Sequence, residues 1–296
     1  MNCNPPSKIS DQERQLVLPL DQVIQVMRQA HGHDLSLFDE VFLAKSLERR
    51  IAGAVAEEDT AAYLQRLAED RTEADALFQS LNIGYSEFFR DPLVFALLEK
   101  LVLPGLVEAK GKTGPAELRV WSAGCSAGQE AWSVAILLED LSVAQQRPVP
   151  FRIIATDVSD AALAVARQGV YDHTAVQNVR VKHLRNFFSA EGESYVVASQ
   201  LRARVDFSTY DLLDERSVCP PVSLYGAFDL ILCCNLLFYY RPETRRHILD
   251  KVCRALGPGG YFVTGEVDRE FVAQHDGFSA VAPPAAVFQK RRSEHE

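Results

Sequence analysis

The spacing of hydrophobic residues changes along the chain. Between residues 20 and 80, apolar residues recur near helical spacing, and no stretch has the pattern of a strand. From residue 118 onward, short apolar runs alternate with helical segments. These runs cover residues 118–122, 151–157, 205–211, 228–235, 260–265 and 286–289. The nearly continuous run at 228–235 is typical of a parallel strand covered on both faces, whereas the last run is expected to be antiparallel. The pattern predicts an α/β fold preceded by helices.

The same pattern divides the chain into segments. We predict a helical domain at 16–81, a linker and connecting helix at 82–115, an α/β domain at 116–290, and flexible tails at 1–15 and 291–296. Residues 170–204 scatter aromatic positions among polar ones. We expect an insertion there with a short antiparallel β subdomain, which is a common place for a partner to bind an exposed strand edge.

A glycine turn between a strand and a helix lies within residues 118–133. Such a turn puts backbone N–H groups and a helix N-terminus at the carboxyl end of the strand, where open α/β sheets bind ligands. Gly124 and Gly128 remove Cβ atoms where a ligand would approach the backbone. Glu130 lies in the first helical turn, and its carboxylate suits a cationic or hydroxyl-rich ligand better than a phosphate.

Polar residues end two further predicted strands. Asp157 follows the second strand, where an acidic residue can accept both hydroxyls of a ribose. Its alternative role is the N-cap of the helix that begins near Ser159. Asn235 lies at the carboxyl end of the run 228–235, on the ligand side of the sheet. Tyr239 and Tyr240 could line the crevice, or they could belong to the core or to a lid.

Arg90 lies beside two phenylalanines at the junction between the predicted domains. It could form an ion pair with Glu87 or Asp91. Alternatively, its guanidinium could present a rigid fork to a carboxylate. The residues alone leave both roles open.

Composition and charge narrow the class of protein. A net charge of -9 argues against a nucleic-acid-binding surface. No apolar run reaches the roughly 18 residues of a membrane span, and the polar N-terminus has no secretory pattern. We therefore expect a cytoplasmic protein that is not inserted in a membrane. The cysteines and histidines have no zinc spacing, so we expect reduced thiols and no metal.

The form of the glycine turn indicates which ligand it could hold. It is Gly-x-x-x-Gly rather than the Gly-x-Gly-x-x-Gly of dinucleotide folds, and no Walker lysine follows it. A ligand with a ribose and an adenine but without a phosphate fits better. S-adenosylmethionine meets that description. Its ammonium would suit Glu130, and its carboxylate would suit an arginine or backbone amides.

Five segments resemble the chemotaxis-receptor glutamate O-methyltransferases, the CheR family. They are residues 84–91, 121–130, 155–159 with 166–171, 229–240 and 256–261. Together with the helical N-terminal pattern, the similarity extends from about residue 20 to residue 290. It implies a Rossmann-like, S-adenosylmethionine-dependent methyltransferase domain with a small antiparallel β insertion, preceded by a small all-α domain.

The resemblance also implies an activity and a set of site residues. The activity is methyl transfer to a glutamate side chain in the cytoplasmic domain of a chemoreceptor, by a monomer, with S-adenosylhomocysteine as the product. Matched by position, the catalytic residues are Arg90 and Tyr239. The residues matched to cofactor binding are Gly84, Ser86, Arg90, Gly124, Glu130, Asp157, Asp211, Leu212, Cys234 and Asn235.

Five positions depart from the family pattern. Cys234 stands where the family usually has arginine, Gly84 where it often has asparagine, and Asp268 where a late glutamate is usual. Gln129 and Ala131 replace a common glutamate and proline around Glu130. Losing an arginine beside the crevice could weaken cofactor binding or change how an anionic substrate is held. Two alternatives therefore accompany the expected function. One is a cofactor-binding member with a regulatory or scaffold role, and the other is a methyltransferase for a different carboxylate acceptor.

Overall fold

The computed structural model describes residues 19–54, 60–112, 117–223 and 226–291. The chain forms two compact units, Met1–Asn82 and Ile83–Glu296, which we call the N-terminal and C-terminal units. The predicted tails, 1–15 and 291–296, lie outside the described residues, apart from Arg291. The domain limits taken from the sequence stay predictions.

The described part of the N-terminal unit is helical. Its elements are α1 (Leu20–Val26), a π-helical turn (Met27–His31), a 3-10 turn (Leu35–Leu37), α2 (Glu40–Ala54), α3 (Thr60–Glu69) and α4 (Arg71–Ser80). Residues at helical spacing meet in a small core, in which Met27 and Tyr63 are fully buried. Glu73 closes one side of this core, because it accepts a hydrogen bond from the Tyr63 hydroxyl and forms an ion pair with Arg50 at 2.8 Å. The predicted all-α part is confirmed.

The C-terminal unit is built on strands. They are β1 (Leu118–Ala123), β2 (Phe151–Asp157), β3 (Val170–Asp172), β4 (Phe188–Glu191), β5 (Ser194–Val197), β6 (Val205–Thr209), β7 (Phe228–Cys233), β8 (Leu256–Thr264), β9 (Phe278–Ala280) and β10 (Val287–Lys290). Within the described residues, a seven-stranded sheet has the order β6-β2-β1-β7-β8-β10-β9. The first five strands in that order are parallel, and β10 runs antiparallel to β8 and β9. The expected antiparallel last strand is confirmed.

Helices cover both faces of this sheet, which explains the apolar runs. The helices of this unit are α5 (Pro92–Leu97), a π-helical turn (Leu98–Val102), α6 (Leu103–Lys112), α7 (Gln129–Ala144), α8 (Asp160–Gln168), α9 (Val181–Phe187), α10 (Ser199–Arg202), α11 (Pro242–Ala255) and α12 (Arg269–Ala273). Val120 and Trp121 are consecutive in β1, so their side chains point to opposite faces, and both are fully buried. Burial on both faces leaves no polar alternation in the central strands.

A small antiparallel sheet, of order β3-β5-β4, forms the predicted insertion. It is fastened to the larger fold through Tyr171 of β3. The Tyr171 hydroxyl donates to the Ala127 carbonyl at 2.7 Å, and its ring packs edge-on against Phe88 at 5.0 Å. The Phe88 ring also meets Phe188 of β4 at 5.6 Å. The insertion therefore supports both the glycine turn and the segment that carries Arg90.

Among the described residues, no helix is both long and apolar enough to cross a membrane. The cysteines among them are free thiols, namely Cys125, Cys219, Cys233, Cys234 and Cys253.

Gly128 generates a prediction about stability. We expected its missing Cβ to make room for a ligand, but the structure gives a different reason. Gly128 has φ of +92°, and a Cβ there would lie 2.8 Å from the Ala166 Cβ of α8. We expect Gly128→Ala to lower the free energy of unfolding by about 2–4 kcal/mol, because the left-handed backbone and the overpacking both add cost.

Gly192→Ala is the matched control in urea unfolding. Gly192 has φ of +61°, but no atom lies within 4 Å of a Cβ built there. Only the backbone cost of about 1–2 kcal/mol is then expected. Equal losses in the two variants would contradict the importance of packing against Ala166.

Candidate active site

The strand order creates a crevice at the carboxyl end of β1. After β1 the chain crosses to β2 on one side, whereas β7 pairs with β1 on the other. When the connections that follow two adjacent parallel strands run in opposite directions, a crevice opens outside the carboxyl ends of those strands. A cavity of about 350 Å³ lies there, and we call it the switch-point cleft. The structure brings six predicted residues to its wall: Ser86, Arg90, Gly124, Glu130, Cys234 and Asn235.

Glu130 supplies a carboxylate to the switch-point cleft. The Ser122 hydroxyl donates to its Oε1 at 2.6 Å, and the Cys234 thiol also donates to this carboxylate. Burial raises the pKa of Glu130, whereas the two hydrogen bonds and the charge of Arg90 lower it. Neutral donors leave most of a buried negative charge uncompensated. A cation bound in the cleft would therefore interact favourably with Glu130.

Arg90 reaches the cleft from the segment before α5. Its exposed guanidinium lies over the Tyr85 ring, 5.1 Å from the centroid, and donates to the Tyr85 carbonyl at 3.4 Å. Its two expected partners are engaged elsewhere, because Glu87 accepts from the Tyr85 hydroxyl and Asp91 caps α5. Within the described residues, neither acid forms an ion pair with Arg90. The geometry thus favours the anion-binding role that the sequence left open.

Asp157 ties the glycine turn to the end of β2. Its carboxylate accepts the Ser126 amide at 2.8 Å through one oxygen and the Ser159 amide at 2.9 Å through the other. The N-cap of α8 is Ser159, whose side chain accepts the Ala162 amide, so the alternative role of Asp157 as that cap is wrong. Asp157 lies outside the lining of the switch-point cleft. Each oxygen keeps a lone pair that could accept a hydroxyl.

The segment after β7 carries three predicted residues. Cys234 and Asn235 line the cleft, and Asn235 has φ of +56°, which asparagine tolerates better than most residues. A 3-10 turn, Leu237–Tyr239, follows. Tyr239 lies at the end of this turn, outside the cleft lining, with its ring centroid 4.1 Å from that of Phe238.

Arg245 holds this turn in place, and Asp268 lies close to it. Arg245 of α11 donates to the Tyr240 carbonyl at 2.6 Å and to the Phe238 carbonyl at 3.1 Å. Asp268 is fully buried, and neither carboxylate oxygen has a hydrogen bond of normal geometry within the described residues. Burial raises the pKa of Asp268 to about 6, although the charge of Arg245 and the nearby amides of Leu237 and Phe238 act in the opposite direction. The sequence marked Asp268 only as a departure from the family pattern.

Three predicted residues, Gly84, Asp211 and Leu212, are not part of the switch-point cleft lining. A Cβ on Gly84 would lie 3.6 Å from the hydroxyl oxygen of Ser126, in the glycine turn. Asp211 is exposed and Leu212 is buried, and both follow β6. Burial raises the pKa of Tyr240, and the charges of Asp211 and Asp157 raise it further. Tyr240 is therefore within electrostatic reach of both acids.

Sequence reasoning missed the cleft-lining residues Thr264, Gly265 and Glu266, at and after the end of β8, and it missed Ser122, the partner of Glu130. Ser122 is fully buried in β1, eight residues before Glu130 in the chain. The two side chains meet because the first turn of α7, which carries Glu130, lies against the end of β1. The available signal was a serine within an otherwise apolar strand, where a hydroxyl needs a partner.

The side chains of this region fit S-adenosylmethionine in kind. Glu130 matches an ammonium, Arg90 matches a carboxylate, and Asp157 retains capacity for ribose hydroxyls. The left-handed Gly124 removes a side chain from the wall of the cleft. Across the described ranges, no group of three or more His, Cys, Asp or Glu residues could hold a metal ion.

Comparison with known proteins agrees with this ligand class. The family model described as CheR methyltransferase, SAM binding domain, matches residues 85–286. A chemotaxis protein methyltransferase of Listeria innocua is 30% identical over 245 residues, which cover 81% of this chain and 86% of that protein. Chemotaxis protein methyltransferase 1 of Pseudomonas aeruginosa is 35% identical over 182 residues, which cover 60% of this chain and 63% of that protein.

A third relative is much longer than the matched region. It is an uncharacterized 104.1 kDa protein in the hypE 3' region of Rhodobacter capsulatus, 33% identical over 258 residues. The match covers 84% of this chain but 26% of that protein. The chain thus spans about a quarter of this relative and 63% of the Pseudomonas aeruginosa protein.

Asp268 predicts how stability depends on pH. Its folded pKa of about 6 lies above the ordinary 3.8, so the folded state binds more protons than the unfolded state between these values. The free energy of unfolding therefore gains from this group as the pH falls through about 6, and the gain is complete below about 4. We expect Asp268→Asn to be more stable than the native chain near neutral pH by up to about 3 kcal/mol.

Urea unfolding at about pH 5 and about pH 7.5 measures this effect. Asp276→Asn removes an exposed carboxyl and serves as the control, with an expected change within about 0.5 kcal/mol. The Asp268→Asn variant should show a flatter pH dependence than either the native chain or the control. Identical pH dependence in all three proteins would contradict the buried acid as its source.

Proposed function

Because the chain belongs to the CheR methyltransferase family, we propose that it transfers a methyl group from S-adenosylmethionine to a glutamate side chain of a chemoreceptor. The products would be a glutamate methyl ester and S-adenosylhomocysteine. The observation that carries this proposal is the switch-point cleft, which combines the Glu130 carboxylate with the Arg90 guanidinium. Relatives named chemotaxis protein methyltransferases support the acceptor class.

The proposed binding roles follow from the chemistry of each side chain. Glu130 would bind the ammonium, because its carboxylate otherwise has only neutral donors and a distant positive charge. Asp157 would accept the ribose hydroxyls while its amide bonds keep the glycine turn in position. Asp211 and Leu212 would border the adenine, with the polar residue outside and the apolar one buried. Ser86 and Asn235 would complete the wall.

The transfer itself needs alignment more than proton chemistry. When bound, S-adenosylmethionine supplies a methyl group already activated by a sulfonium. A glutamate carboxylate is ionised at neutral pH, so it would need no general base to attack the methyl carbon; the C–O bond would form as the C–S bond breaks, the sulfur would keep the electron pair, and no proton would move. Arg90 would orient the acceptor carboxylate or the carboxylate of the methyl donor through its paired N–H groups. Tyr239, held by the 3-10 turn, would shape the space around the reacting atoms and exclude water.

Cys234 favours a second candidate function. Its thiol lies in the cleft and donates to Glu130, and burial raises its pKa well above the ordinary value, so it stays neutral. A neutral thiol gives the cleft one cation fewer than an arginine would. The second candidate is therefore a cofactor-binding protein with a regulatory or scaffold role and little turnover.

One experiment separates these functions. The purified protein is incubated with tritiated S-adenosylmethionine and membranes that carry the receptors of the same organism. We expect a labelled receptor-sized band that releases volatile methanol in base, as a methyl ester does. Calorimetric binding of S-adenosylmethionine without any label would favour the regulatory candidate, and Cys234→Arg would then test the missing charge. Label on free carboxylic acids alone would indicate a different acceptor.

Arg90→Ala tests the orienting role. A charge-assisted hydrogen bond contributes about 1.5–3 kcal/mol, so kcat/KM for the receptor should fall roughly 10- to 150-fold. The fold should remain intact, since Arg90 is exposed and its contacts among the described residues are one carbonyl and one ring of the same segment. Arg216→Ala is the control, because Arg216 is 90% exposed and pairs with Asp214 two residues away. Unchanged methylation by Arg90→Ala would overturn the role of Arg90.

A further inference from the structure

Phe89, the residue directly before Arg90, has a left-handed backbone. Its φ is +51°, a value that is uncommon for residues other than glycine and an outlier for a bulky side chain. Such a conformation is costly, and it persists only where the surrounding contacts impose it. Because the backbone angles of Phe89 set the direction in which the chain continues, they also set where the Arg90 side chain starts. The contacts that hold Phe89 therefore affect the switch-point cleft.

Ser133 of α7 makes a polar contact with this strained residue. The Phe89 amide donates to the Ser133 Oγ at 3.1 Å, across 44 positions of the chain. Ser133 is fully buried, and its hydroxyl donates in turn to the Gln129 carbonyl at 2.7 Å. The bond to Gln129 uses the hydroxyl proton, so the lone pairs of the oxygen remain available to accept the amide. The hydroxyl is thus a fixed acceptor for Phe89.

Aromatic contacts hold the other side of Phe89. Its ring centroid lies 5.3 Å from that of Phe95 in an edge-on arrangement, and 5.8 Å from that of His183. Phe88, the preceding residue, is fully buried. With the ring held on one side and the amide on the other, a rotation of the backbone at Phe89 would break one of these contacts. The left-handed conformation is therefore imposed by tertiary structure.

The helix that carries Ser133 also carries Glu130. The two residues are three positions apart and therefore lie on the same face of α7. Glu130 lines the switch-point cleft, and Ser133 holds the segment that brings Arg90 to the wall of the same cleft. One turn of α7 thus connects the carboxylate of the cleft with its guanidinium.

We propose that Ser133 is a positioning residue for methyl transfer, because its hydroxyl accepts the Phe89 amide, keeps Phe89 left-handed and so directs Arg90 toward the switch-point cleft. This inference rests on the function proposed above. Ser133 lies outside the cleft lining, so it acts through Arg90 and not on the reacting atoms. Without its hydroxyl, the Phe89 amide loses its partner and the backbone can relax. Arg90 then spends less time in the geometry that orients a carboxylate.

Ser133→Ala tests this proposal in steady-state methylation of the same receptor-bearing membranes. We expect kcat/KM for receptor to fall about 3- to 10-fold, which is less than for Arg90→Ala because the arginine itself remains. Ser142→Ala is the matched control. Ser142 lies in the same helix, accepts the Val149 amide at 3.0 Å and donates to the Leu138 carbonyl at 3.2 Å. Both variants should unfold at lower urea concentration, but only Ser133→Ala should lose activity.

Combining Ser133→Ala with Arg90→Ala separates a positioning role from a general structural one. In the Arg90→Ala background, Ser133→Ala should lower kcat/KM by less than about twofold more, because the side chain that it positions is already gone. Ser133→Cys repeats the test with a side chain of similar shape whose sulfur is only a weak acceptor. Its kcat/KM should lie between those of Ser133→Ala and the native chain.

Two results would overturn the role of Ser133 while the proposed function stands. One is a loss for Ser133→Ala that is the same in the native and Arg90→Ala backgrounds. The other is a loss for Ser133→Ala no greater than that for Ser142→Ala. If the native protein labels no receptor, both proposals fail together.

Discussion

The parallel pairing of β1 with both β2 and β7 is the constraint on which the site depends. The register places Ala123 beside Thr156 and Ser122 beside Leu232, so the three strands end at nearly the same level. Their carboxyl ends consequently deliver the glycine turn, Asp157 and Asn235 to one edge of the sheet. Parallel strands require crossover connections, and the reversal of direction at β1 leaves a crevice at the strand ends, which residues of α5 help to line.

The acids and the cations of this region differ in how deeply they are buried. The pKa values of Glu130 and Asp268 are raised because burial disfavours their ionised forms. Arg90, by contrast, is exposed on the wall of the cleft. A buried acid and an exposed arginine would suit the cationic methyl donor and the anionic acceptor that we propose. Perturbed acids of this kind reduce stability and are common where a ligand completes the electrostatics.

Much of the architecture could be predicted because it depends on local pattern. Apolar runs located the central strands, since strands covered on both faces have no polar side. The glycine turn and Glu130 followed from spacing along one strand and one helix. The short edge strand β9 was not predicted, because only Phe278 of its three residues is buried and so carries no periodic signal. Gly128 was interpreted as space for a ligand, whereas its neighbour is Ala166, which is distant in sequence.

The candidate site separates what the sequence alone determines from what depends on the tertiary structure. By itself, the sequence determined the order of strands and helices, the residue types at the strand ends and the resemblance that connects them, because these depend on neighbouring positions and on motif spacing. Only the tertiary structure decided the partners. It joined Ser122 and Cys234 to Glu130, and it engaged Glu87 and Asp91 away from Arg90. Hydrogen bonds and ion pairs form between groups within about 3–4 Å, and that proximity depends on packing between elements far apart in the chain.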